Sequence, residues 1–131
     1  MQTLKLSAIK KVMIFLLALI TFSNLQAQQA SNKTTLLFQA IRSGSTKELQ
    51  QQLSNGADVN DSLDSYSALM AATLNGSLEQ MKLLIARGAD VNYHSSDGTT
   101  ALWLAIPDWD KTKLLLDNGA DANHQIRGYG I

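Results

Sequence analysis

Three copies of one short phrase, set at nearly equal intervals, limit what this chain can fold into more than any other feature. Gly56-Ala57-Asp58-Val59-Asn60 recurs as Gly88-Ala89-Asp90-Val91-Asn92 and again as Gly119-Ala120-Asp121-Ala122-Asn123. The glycines are 32 and then 31 positions apart. A period of roughly 30–35 residues marks units too small to bury a hydrophobic face alone, which become stable by stacking on one another. Architecture and mode of action follow from that pattern, whereas the identity of a partner does not.

The middle unit, residues 64–92, reads as a helix pair. Ser67 stands just before an apolar run and can cap a first helix over 68–74 by accepting from its free N–H groups. Asn75-Gly76 breaks that helix. Ser77 opens a second one, with Gln80 three residues on in a capping-box pattern. Leu78, Met81, Leu84 and Ile85 recur at helical spacing and make one apolar stripe, with Leu83 alongside. Arg87-Gly88 ends the helix, because glycine takes the left-handed C′ conformation without a Cβ penalty.

These residues resemble the ankyrin repeat. Ser67-Ala68-Leu69-Met70 and Thr100-Ala101-Leu102-Trp103 occupy the place of the family's Thr-Pro-Leu-His, without its proline and histidine, and the Gly-Ala-Asp-Val-Asn ending matches closely. The resemblance runs from about Lys33 to Asn123. It implies an all-α solenoid of helix-turn-helix units joined by short hairpin loops, with repeats at about 33–60, 61–92 and 93–123.

The opening 27 residues are a different kind of sequence. Lys5, Lys10 and Lys11 precede a nine-residue apolar run, residues 12–20, and Leu25-Gln26-Ala27 offers a small residue at a cleavage point. This is the layout of a secretory signal peptide cut near Ala27/Gln28. The rival, a retained anchor, needs about 20 apolar residues. Without residues 1–27, 104 residues remain, with 8 basic and 11 acidic side chains. An acidic balance with no basic stripe argues against nucleic acid, and no basic amphipathic face suggests anionic lipid. Residues 28–32 read as a short, mobile polar leader.

The flanking repeats depart from the middle one. In the first, Leu36, Leu37, Ala40 and Ile41 form the expected inward stripe, Gly44 ends the helix, and Ser45-Thr46-Lys47-Glu48 is a second capping-box pattern. Leu49 and Leu53 carry the packing of the next helix, while Gln50-Gln51-Gln52 fits an outer face that meets water, as a terminal repeat requires. In the third, Leu102 to Gly119 spans 17 positions where Leu69 to Gly88 spans 19. Pro107 cannot continue the first helix, so Asp108 is expected to cap a second whose core is residues 114–116. Residues 124–131 look like the start of a further hairpin: either a frayed strand or, the preferred expectation, an array cut short.

Catalytic chemistry has little to stand on. There is no cysteine, and hence no disulfide or lipoprotein anchor. His94 and His124 follow equivalent asparagines, are read as repeat-derived loop residues, and are too few for a zinc site. No serine lies in a Gly-x-Ser-x-Gly setting. Asp58, Asp90 and Asp121 belong to the repeated turn, and Asp61, Asp64 and Asp97 lack the alternation around a glycine that calcium requires. The expectation is no enzyme, no metal and no cofactor.

Binding is the better reading, and the resemblance says where. In the ankyrin family the hairpins and first helices line a concave surface that contacts partners. Tyr66, Tyr93, Trp103 and Trp109 fall in or next to those elements, and Tyr and Trp are enriched at residues that dominate interface energy. Trp103, beside Leu102, has packing against a neighbouring repeat as an equal alternative. Trp109, between two aspartates, should be at least partly exposed, because burying it would desolvate carboxylates. The resemblance adds Leu63, Asp64, Leu74, Asn75, His94, Ser96, Asp97 and Thr99 as outward-facing variable positions. The chain is therefore expected to be an exported, periplasmic or secreted monomer that binds another protein passively. The runner-up is an accessory or inhibitor-like partner of an exported enzyme, and a small-molecule-binding or catalytic domain is the remote third.

Overall fold

The computed structural model describes residues 2–125, so the tail expected to begin another hairpin lies almost wholly outside the described residues. Elements in chain order are α1 (Gln2–Ser43), α2 (Thr46–Ser54), β1 (Ser62–Leu63), β2 (Tyr66–Ser67), α3 (Ala68–Asn75), α4 (Leu78–Ala86), α5 (Ala101–Ala105) and α6 (Trp109–Asp117). The chain divides into two compact units, Met1–Asn32 and Lys33–Ile131.

The first unit is helical, and its large apolar side chains between Leu6 and Leu25 are exposed. An 18-residue window with mean hydropathy 1.9 makes it long and apolar enough to cross a membrane, a test that a signal sequence also passes. Residues 28–32, expected as a mobile leader, are helical instead. Nothing in Gln28-Gln29-Ala30-Ser31-Asn32 breaks a helix, since no glycine or proline interrupts it.

The second unit is three helix pairs in series: the last part of α1 with α2, α3 with α4, and α5 with α6. Each second helix starts on a side-chain cap, as does each first helix after α1. Ser67 accepts from the Met70 N–H (3.2 Å), Thr100 from Trp103 (3.3 Å) and Asp108 from Lys111 (3.1 Å). The Ser77–Gln80 capping box is complete in both directions. The pattern at Ser45 is only half a box. Ser45 accepts from the Glu48 N–H, but the Glu48 carboxylate turns to the Ser43 hydroxyl at 2.8 Å.

The core is a row of fully buried side chains through all three pairs: Leu37, Ile41, Leu49, Leu69, Met70, Met81, Leu84 and Leu115. Leu36, expected inward, is 39% exposed, and Phe38 at 6% takes its place. The helix is turned so that 37, 38, 40 and 41 define the inner stripe, and 36 falls at its edge. In α6 only Leu115 is fully buried; Leu114 is half-buried and Leu116 faces outward.

The repeated Gly-Ala-Asp-x-Asn phrase has a mechanical explanation. Gly56, Gly88 and Gly119 have φ of +86°, +90° and +86°, the left-handed conformation that ends a helix most cheaply in glycine. Each following aspartate accepts from the N–H of its asparagine at 2.9 Å, closing the turn. The asparagine then reaches into the next unit. Asn60 accepts from the Asp90 N–H (2.8 Å) and donates to the Gly88 carbonyl (3.2 Å), and Asn92 does the same to Asp121 (2.8 Å) and Gly119 (3.0 Å).

A second set of cross-links joins the pairs on the helix side. Gln80, wholly buried, donates from Nε2 to the Ala40 carbonyl near the end of α1 (3.1 Å). Lys111, at the corresponding third position of α6, donates to the Thr73 (2.8 Å) and Gly76 (3.3 Å) carbonyls at the end of α3. Both side chains satisfy carbonyls that a helix C-terminus leaves without partners.

Candidate interaction surface

The β1–β2 hairpin pairs Ser62 with Ser67 and Leu63 with Tyr66. Its two turn residues, Asp64 and Ser65, both have positive φ, +52° and +69°. That is the twist a two-residue turn needs to keep its strands together. The turn lifts Leu63 and Asp64 over α3 and the end of α1.

The result is a groove of about 770 Å³, whose lining includes Leu63, Asp64 and Tyr66 from the hairpin and Leu74 and Asn75 from α3. Five of the twelve sequence-derived candidates therefore share one site. Leu63 is 42% and Leu74 50% exposed, and Tyr66 is half-buried. Sequence reasoning missed the opposite wall, formed by Thr35, Phe38, Gln39, Arg42 and Ser43 of α1. The available signal was the spacing of Thr35, Phe38 and Arg42, three and four apart, which puts them on one face of the first helix beside its buried stripe.

The remaining candidates lie elsewhere. Tyr93 is half-buried and packs against the core. His94 and Ser96 border a shallow depression of about 320 Å³ with His124. The rings of His94 and His124 stack at 5.4 Å, and His124 Nε2 donates to the Gly98 carbonyl at 3.0 Å, which ties the third repeated turn to the hairpin loop closed by the antiparallel pair His94–Thr100. Among the described residues no group of three or more potential ligands could hold a metal ion.

Asp97 organises the same loop from within. Its carboxylate accepts from the Ser95 hydroxyl and from the Thr99 N–H at 3.1 Å. These bonds, the Ser95 hydroxyl first, hold its pKa below the ordinary carboxylate value. Thr99 is not outward-facing, as expected from the resemblance, but buried at 7% exposure. Ser95 and Asp97 both take its N–H, and the loop folds down over it.

The two tryptophans are surface residues. Trp103 is 54% exposed, although its counterparts in the preceding pairs, Phe38 and Met70, are buried. Trp109, the first residue of α6, is 74% exposed beside its capping Asp108. Neither lines the groove.

Residues 37–126 match the family model for ankyrin repeats, in three copies. No match to the chain was found among curated proteins. The matched stretch covers well over half of the sequence and coincides with the capped helix pairs and bridged glycine turns, so the chain belongs to the ankyrin repeat family.

Proposed function

We propose that this chain is an exported binding protein that acts by presenting a preformed surface to one protein partner outside the cytoplasm. Ankyrin repeats are protein–protein interaction modules and generally non-catalytic. The observation that carries the reading is the groove between α1, the first hairpin and α3, where exposed Leu63 and Leu74 adjoin half-buried Tyr66. Side chains anchored on capped helices and a closed hairpin lose little freedom on docking, so their burial contributes to affinity with little ordering cost. Trp109 offers a second, separate anchor.

Export is supported by the three lysines, the apolar run and the small residue at 27. Its destination, periplasmic or extracellular, would be the same chemistry for either compartment, since a chain without cysteine needs no redox environment.

Photo-crosslinking in the native host tests the binding role. A benzophenone side chain placed at Leu74 or Trp109 should give a discrete adduct with a second protein, and one at Gln51, on the polar face of α2, should not. Failure to form an adduct at either position would overturn the reading.

A further inference from the structure

The walls of the groove carry unlike charges. Arg42 stands on the α1 wall, and Asp64 on the hairpin wall opposite. Both are exposed, and neither takes part in an ion pair among the described residues, where the salt bridges are Lys82–Glu79 and Lys113–Asp117. The rest of the lining is buried Phe38 with Leu63, Tyr66, Ala71 and Leu74, and the uncharged polar Thr35, Gln39, Ser43 and Asn75. Arg42 is the basic residue of the lining and Asp64 the acidic one. A partner that presents an apolar group and two opposite charges in matching order complements this lining.

Size narrows the choice further. A groove of about 770 Å³ lies within the range of roughly 300–1,000 Å³ that takes compact ligands. An extended segment turns alternate side chains to one side, so a few residues suffice to bring an apolar group and a charge on each flank to the groove together.

We propose that the groove receives an extended segment of a partner protein in which one bulky apolar side chain is flanked by an acidic residue on the Arg42 side and a basic residue on the Asp64 side. The apolar side chain enters among Phe38, Leu63, Tyr66 and Leu74. The carboxylate takes the Arg42 guanidinium, whose planar fork matches it in two parallel hydrogen bonds, and the cation takes Asp64. Because the two charges differ, the order of side chains across the groove is set whichever way the bound chain runs, since a cation brought to Arg42 or an anion brought to Asp64 is repelled. This inference rests on the binding role proposed above and adds to it the chemistry of the bound segment and the order of its side chains.

The test uses the full chain as bait for a library of random displayed heptapeptides, with Arg42→Glu and Asp64→Lys as parallel baits whose folding is checked by circular dichroism. The unsubstituted chain should enrich peptides with an acidic and a basic residue on opposite sides of a bulky apolar one. Arg42→Glu should replace the acidic preference with a basic one, and Asp64→Lys should do the converse. Synthetic copies of the leading peptide should bind at least tenfold more weakly to Arg42→Glu and to Leu74→Ala. The same consensus from all three baits, or no consensus, overturns the proposal. A consensus that survives both charge reversals but is lost in Trp109→Ala also overturns it, while leaving the general binding role in place.

Discussion

At the scale of single residues, two positions show how closely local chemistry is fitted. Gly76 has an ordinary φ, −101°, so its backbone would accept any residue. The constraint is space: a Cβ there would lie 2.4 Å from Gln80 Oε1 and 2.9 Å from the Ala72 carbonyl. Gly76→Ala must push Gln80 aside, which opens the capping box and strands its amide in the core. A loss of about 2–3 kcal/mol is expected in urea unfolding, from one cap and one buried unsatisfied group. Asp97 makes the complementary case in an exposed loop. Its depressed pKa means that the folded hairpin favours the carboxylate, so the contribution is present above the ordinary carboxylate pKa and is lost as pH falls through the lowered folded value. An NMR titration should find Asp97 titrating below its ordinary value, and returning toward it in Ser95→Ala, with faster exchange of the Thr99 amide at low pH.

At the scale of elements, the asparagine bridges explain why the repeated phrase ends as it does. Asn92 makes two bonds to the following turn while its own N–H is held by Asp90. Asn92→Ala removes both bonds at a solvent-exposed edge, and should cost about 1–3 kcal/mol with α5 and α6 loosened most. Hydrogen exchange resolved by segment would show whether the loss concentrates there. Much of this was legible beforehand. The caps at Ser67, Ser77 and Asp108 were readable because a side-chain oxygen three residues before an orphan N–H is a local rule. Leu36 and Thr99 were misplaced because burial depends on rotation about a helix axis and on how a loop folds down, which no local rule sets. The groove was half visible. The resemblance supplied Leu63, Asp64, Leu74 and Asn75, and the aromatic reading Tyr66. Phe38 and Arg42 belong to a wall defined only once the hairpin leans over α1.

For the molecule as a whole, the division into Met1–Asn32 and Lys33–Ile131 separates an exposed apolar helix from the stacked repeats. If residues 1–27 are removed on export, intact-mass measurement on protein from the native host should give a chain beginning near Gln28. A full-length mass in the membrane fraction would show that the segment is kept as an anchor. The stack itself has a direction. Gln80 completes the end of a helix begun in the preceding pair, and Lys111 completes the end of α3. Those partners lie 40 residues apart for Gln80 and Ala40, and 38 and 35 for Lys111 with Thr73 and Gly76. A ribosome releases the earlier carbonyls first. The first pair thus keeps a helix end waiting for a side chain of the second, and the second for a side chain of the third, so each of these two is fully latched only when its successor has been made.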